Sequence, residues 1–159
     1  MRVKVNVGKR RRFTLVTVQP LKVSLRELPN FLAYVVSRFA ERHKRLFGAH
    51  REFLETVLTD SDVLPEVFRL LWRGYPRGNY KSLYICTDNA LARNPGSKFC
   101  VIVRVGKANG TYFVDKVFVG PTYRPSKWAT WYIYLGRDSW APEDLEEGIE
   151  KLLREAGTF

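Results

Sequence analysis

Two histidines, two cysteines, scattered carboxylates and an abundance of rings and cations are the side chains of this chain that could do chemistry. His43 and His50 lie seven residues apart with Gly48 between them, away from the i, i+4 spacing that lets two imidazoles on one helix share a metal. Cys86 and Cys100 have thirteen residues between them and no Cys-x-x-Cys motif. Metal-dependent phosphodiester cleavage needs converging carboxylates, for which Asp60, Asp62, Asp88 and Asp115 are the candidates; Asp115-Lys116 lacks the second acid of an Asp/Glu-x-Lys set, and helix capping accounts for Asp60 and Asp62. The stretch from Gly74 to Ser82 lacks the Gly-Lys-Ser/Thr ending of a phosphate loop. No Ser/His or Cys/His pair has local support as a nucleophile and base. The expectation is a protein without catalytic activity, metal or cofactor.

Rings and cations remain. Of 159 residues, 27 are Lys or Arg and 16 are Asp or Glu, a formal charge of +11, and 14% are aromatic. Residues 1 to 45 carry a net +10, residues 46 to 137 a net +6 and residues 138 to 159 a net −5. So polarised a charge expects a polyanion on one face. At 45% hydrophobic the chain has enough apolar material for one core, so a single domain over 1 to 159 is expected rather than a disordered polycation. No apolar run approaches the roughly 18 to 20 residues needed to cross a bilayer, and the basic segments lack an apolar interfacial helix face, so no membrane partner is expected. Two cysteines are too few for a secreted disulfide framework, which points to a reducing, cytoplasmic setting. One Met and one Gln among many Arg and Lys is a composition reminiscent of thermophile proteins.

The elements that must position these residues follow from periodicity. Val3, Val5 and Val7, then Phe13 to Val18, alternate as a hairpin with Lys9, Arg10, Arg11 and Arg12 at its tip. Ser24 and Glu27 have capping-box spacing, and Pro29 divides a short turn from a main helix capped by Asn30 and running to Phe47, with Gly48 as its stop. Phe31, Val35 and Phe39 face inward on it, whereas Arg38, Arg42 and Arg45 fall elsewhere. Helices over about 50 to 58 and 63 to 72 follow. A Gly/Pro-punctuated loop from Arg73 to Asn79 carries Arg73, Tyr75 and Arg77 as an arm. Strands over about 80 to 86, 98 to 105, 111 to 119 and 127 to 135 form an antiparallel meander turning at Asn109-Gly110. A final helix runs from Pro142 to Ala156, with Asp138 and Ser139 as caps and Leu145, Ile149, Leu152 and Ala156 as its stripe. The fold class is thus α+β: an antiparallel sheet, made of a four-stranded meander plus the N-terminal hairpin, packed with about three N-terminal helices and a C-terminal helix.

Period-two alternation gives the meander an aliphatic face, with Leu83, Ile85, Val101, Val103, Phe113, Val117 and Val119, and a second face of rings and cations. The second face holds Tyr80, Tyr84, Tyr112, Phe118, Trp128, Tyr132 and Tyr134 together with Lys98, Arg104 and Lys116. Uncovered rings beside cations suit an unpaired strand, because each base stacks on a ring for roughly 1 to 3 kcal/mol while Lys and Arg neutralise phosphates. The phosphate contacts expected are Lys9, Arg10, Arg11, Arg12, Arg38, Arg42, Arg45, Arg73, Arg77, Arg104 and Lys116. The stacking residues are Tyr75, Tyr80, Tyr84, Tyr112, Phe118, Trp128, Tyr132 and Tyr134. The competing explanation for each ring is a second core layer beneath the N-terminal helices. Neither the RRM octapeptide, a KH Gly-x-x-Gly nor a helix-turn-helix is present.

The overall plan resembles the ThermoDBP family of archaeal single-stranded DNA-binding proteins, on the basic helix with Arg38, Arg42 and Arg45, the ring-bearing strands Tyr80 to Cys86 and Lys127 to Leu135, and the C-terminal helix Pro142 to Ala156. The resemblance implies an aromatic cleft between basic flanks, low sequence specificity and a homo-oligomer, formed in some members by a C-terminal zipper. At about two heptads the last helix here is too short for an independent coiled coil. The expected partner is single-stranded DNA or RNA, with DNA ahead of RNA, held in a groove between the sheet and the basic helix. A structural subunit of a ribonucleoprotein or viral assembly is the alternative, and a metal-dependent nuclease the third.

Overall fold

The computed structural model describes residues 14–15, 23–136 and 140–157. The N-terminal hairpin with Lys9 to Arg12, and the caps Asp138 and Ser139, lie outside the described residues apart from Thr14–Leu15, a short strand.

The molecule is α+β, with one six-stranded sheet among the described residues: β1 (Thr14–Leu15), β2 (Val23–Ser24), β3 (Tyr80–Asp88), β4 (Ser97–Ala108), β5 (Thr111–Tyr123) and β6 (Trp131–Tyr134). The order is β1-β5-β4-β3-β6, with β2 also pairing β5. β3, β4 and β5 are the expected antiparallel meander, and Asn109 (φ 53°) and Gly110 (φ 76°) take the left-handed dihedrals that a tight hairpin turn demands. The fourth strand corrects the expectation of a purely antiparallel sheet. β6 pairs parallel to β3, Leu83 opposite Trp131 and Ile85 opposite Ile133, because the chain leaves β5, turns at the left-handed Arg124 (φ 48°) and crosses to the far edge of the sheet. A short helix, Pro125–Trp128, replaces the expected start of that strand.

The other helices are α1 (Leu28–Arg42), α2 (Lys44–Ala49), α3 (Arg51–Thr59), α4 (Leu64–Gly74) and, after α5 (Pro125–Trp128), α6 (Pro142–Glu155). The expected short turn before the main helix is the 3-10 turn Leu25–Glu27, but α1 starts at Leu28 rather than at an Asn30 cap, so Pro29 sits in its first turn, where its missing N–H costs nothing. The expected single helix to Phe47 breaks at His43 (φ −131°, ψ 62°), whose carbonyl accepts from the Phe47 N–H and restarts the chain as α2; Gly48 lies inside α2 instead of ending it. Two short 3-10 turns precede α1 and α4, and neither Ser24 nor Asp60 caps its turn through its side chain. In α6 the Asp144 carboxylate accepts from the Ala141 N–H, and the buried stripe is Leu145, Ile149 and Leu153.

Helices α1, α3, α4 and α6 bury their apolar stripes against one face of the sheet. Phe31, Phe39, Phe53 and Phe68 meet Phe99, Val101, Val103, Val117 and Trp131 in a continuous core. Phe99 is its hub: the His50 ring stacks on it at 3.9 Å, and Phe39 and Phe53 approach edge-on at 5.8 and 6.1 Å. His50 is fixed as the neutral Nδ1–H tautomer, donating to the Leu46 carbonyl (2.8 Å) while Nε2 accepts from the Ala90 N–H (3.0 Å). Burial holds its pKa below the ordinary value. Trp140 ties the entry of α6 to the sheet by donating from Nε1 to Thr87 Oγ1 (3.1 Å).

Candidate nucleic-acid interface

Helices α1, α3, α4 and α6 lie on one side, and the opposite face of β6, β3, β4 and β5 carries the rings. Cross-strand register arranges them in rows. At the end near the Asn109-Gly110 turn, Tyr80, Gly106 and Phe113 stand side by side, with Tyr80 and Phe113 edge to face at 6.2 Å. Gly106 makes room for this: a Cβ there would come within 2.3 Å of the Phe113 ring. In the next row Arg104 opposes Lys116; its guanidinium rides over the Tyr80 ring at 4.4 Å, and its Nε lies 2.8 Å from Asp115 Oδ2. Then come Tyr132, Tyr84, Ile102 and Phe118 across four strands. Cys86 and Cys100 are direct partners in the following row, joined by a disulfide in a small cluster with Ile102 and Phe118, against which Tyr84 and Tyr132 pack. The last row holds Asp88, Lys98 and Thr122, with the Lys98 ammonium 2.7 Å from Asp88 Oδ1 and 5.0 Å from the centre of the Tyr134 ring.

In sequence the two cysteines point only to a compartment, and the reading does not pair them. Their thirteen-residue separation carries no hint of pairing; it is the register of β3 against β4 that sets them opposite one another.

The α5 turn gives this plane relief. It crosses on the ring side and stands Trp128 beside the sheet, with Lys127 Nζ 5.4 Å from the indole centre. Between Trp128 and Tyr123 on one side and a floor of Tyr84, Ile102 and Phe118 lies a cleft of ≈ 430 Å³, with Lys116 and Thr122 as its polar lining. The rings are not a sealed second core layer: Trp128 is 67% exposed, Tyr123 53%, Tyr80 46% and Tyr134 44%, although Phe118 is buried at 8%. The Tyr132 phenol has its pKa pushed up, by burial first and then by the Asp88 carboxylate, so it stays neutral and able to donate.

The structure therefore brings together Tyr80, Tyr84, Phe118, Trp128, Tyr132, Tyr134, Lys98, Arg104 and Lys116. It separates others from them. Tyr112, expected on this face, packs instead against Trp72 (5.2 Å) on the helix side, and Phe113, expected in the aliphatic core, takes the ring side. The cause is a β-bulge: Arg104 pairs with Lys116 but Val105 with Val114, so Asp115 is an extra residue that inverts the alternation before it. Tyr75 follows α4, 6.5 Å from Trp131, a residue of the helix-side core. Arg73 and Arg77 are exposed at the end of α4 and in the loop after it. Arg38, Arg42 and Arg45 belong to the helical layer on the opposite side of the sheet, so the expected groove between basic helix and ring face is not formed. The nuclease candidates do not converge. Asp88 pairs with Lys98 and Asp115 with Arg104, while the pKa of Asp60 is raised by burial first and then by Glu146 and Glu143.

Sequence reasoning missed Phe113, Tyr123, Thr122 and Lys127 as members of the face. For Phe113 a signal existed, since a glycine directly across from a ring marks a place where the ring lies over bare backbone. Gly120 and Pro121 disguised the last turn of β5 as a loop and so hid Tyr123. No family model, no curated protein and no solved structure matches this chain.

Proposed function

We propose that the uncovered sheet face binds single-stranded nucleic acid with low sequence specificity and without chemistry on it, the bases stacking on Tyr80, Trp128, Tyr134 and their neighbours. One observation carries the reading: Tyr80, Trp128 and Tyr134 are each exposed and each has a cation over or beside its ring, at 4.4 to 5.4 Å. A strand lying there finds flat surfaces for its bases and positive charge for the phosphates between them. A duplex hides its base faces and has no use for the rings. DNA is put ahead of RNA on the resemblance to the ThermoDBP family.

Of the four cations on the face, Asp88 and Asp115 partly neutralise Lys98 and Arg104. The salt dependence is accordingly modest, with a slope of log affinity on log salt of about −1.5 to −3. Fluorescence polarisation of labelled single- and double-stranded DNA and RNA at two salt concentrations tests this. Tight binding of single strands with that slope is expected. Tighter binding of duplex would contradict it, and a purified chain that binds no oligonucleotide but co-purifies with a particle would favour the structural-subunit alternative.

A further inference from the structure

The ring face ends at the Asn109-Gly110 turn, and positive charge continues around it. Resting on the single-strand reading above, we propose that a strand too long for that face bends over this hairpin tip and lays its phosphates in a second cleft, on the helix side between β2 and α4.

That cleft, of ≈ 360 Å³, is lined by Arg26 and Arg69, by the hydroxyl-bearing Ser24 and Thr111, and by Gly110 of the tip itself. Thr111 and its partner Ala108 form the next row after Tyr80, Gly106 and Phe113, so the cleft opens where the ring face stops. The way over the tip is clear. Ala108 and Asn109 are exposed, and a Cβ on Gly110 would meet no atom of the described residues within 4 Å. Arg26 comes from the 3-10 turn before α1 and Arg69 from α4, and Lys107 joins them from β4, its ammonium 5.2 Å from the centre of the Tyr112 ring, which lines the same cleft. No carboxylate is among the lining residues. Glu66 lies 3.5 Å from Arg69, but with side chains 64% and 43% exposed that pair is worth little. The guanidinium stays available, and its planar fork fits two phosphate oxygens at once. Bases find no platform here, because Tyr112 already packs against Trp72 and carries Lys107. The contact is therefore to the backbone and reads no sequence. Exposed cations hold a free phosphate weakly, whereas one tethered to a strand already stacked on Tyr80 arrives at an effective concentration of about millimolar.

The test is the salt dependence of binding by oligo-dT of about six and about sixteen nucleotides, read by fluorescence polarisation. The shorter strand is expected to show the slope of the ring face alone, and the longer one a slope steeper by about 2, from three further cations at about 0.7 each. Arg26→Ala combined with Arg69→Ala should take about 1.4 off the slope of the longer strand and weaken its binding about tenfold at low salt, while the shorter strand changes by less than about twofold. Retained binding of the shorter strand also shows that the variant is folded. An unaltered slope for the longer strand in the variant, or an equal loss for both lengths, overturns the second cleft while the stacking face stands. Binding of neither oligomer by the unaltered chain overturns both.

Discussion

Positive charge lies on both sides of this sheet, and the two sides differ in what accompanies it. On the helical layer Arg42, Lys44 and Arg45 are exposed around the break between α1 and α2, and Arg38 and Arg69 pair with Glu41 and Glu66 on their own helices. On the other side Lys98, Arg104 and Lys127 each lie against an exposed ring, and two of them are held by a carboxylate on the sheet. Charge spread over both layers attracts a polyanion from any direction within about a Debye length of roughly 8 to 10 Å. Only rings and cations together provide a place for bases to rest. On the proposed reading, net charge points to the class of partner, while the alternation of rings along strands points to the place of contact.

The sharpest way to break the comparison is to remove one partner type from each side. Trp128→Ala combined with Tyr134→Ala should weaken single-strand binding about a hundredfold, from roughly 1 to 3 kcal/mol for each stacked base. Arg42→Ala combined with Arg45→Ala should change it less than twofold, with an unaltered salt slope, in the same polarisation assay. A larger loss from the arginine pair would move the contact to the helices.

Next in size is the support beneath the rings. Cys86→Ala with Cys100→Ala opens a short loop and should cost about 3 kcal/mol of stability. Thermal melting should drop by about 6 to 12 °C, and reductant should lower the wild-type chain to a similar value. Gly106→Ala should cost about 1 to 3 kcal/mol, because its Cβ enters the space of the Phe113 ring. A variant as stable as the wild type would mean that Phe113 does not lie over this strand.

The two sides should also part company with pH. Burial lowers the His50 pKa in the folded chain below its ordinary 6.5, and burial together with the neighbouring Arg42 lowers that of His43. Above about pH 6.5 neither folded nor unfolded chain binds these protons. Below it the unfolded chain takes them up first, so stability falls with decreasing pH until the folded values are reached. Melting temperature should therefore decline from pH 7 to pH 5. Affinity for a single strand, measured where the chain stays folded, should not follow it, since no histidine lies on the ring face.

Much of this architecture was legible beforehand. Phe31, Val35 and Phe39 announced the inner face of α1, and Asn109-Gly110 its hairpin, because helical period and turn chemistry are local properties. Strict alternation placed Tyr80, Tyr84, Tyr132, Tyr134, Lys98 and Arg104 on one face for the same reason. What escaped notice depended on pairing between distant segments. The bulge at Asp115 exchanged Tyr112 and Phe113, the crossing through α5 turned β6 parallel to β3, and the register of β3 against β4 brought Cys86 to Cys100. Which side the helices would cover was likewise a tertiary matter, and it parted Arg38, Arg42 and Arg45 from the rings they were expected to flank.

Tryptophan emission offers the most direct test of the central claim. Trp72 and Trp131 are buried in the core and Trp140 is half-buried, whereas Trp128 stands 67% exposed at the cleft. Adding oligo-dT should quench the emission of the wild-type chain in step with binding seen by polarisation, and Trp128→Phe, which keeps a ring there, should bind with little quenching. Binding by polarisation that leaves the wild-type emission unchanged would show that the strand lies somewhere other than the ring face.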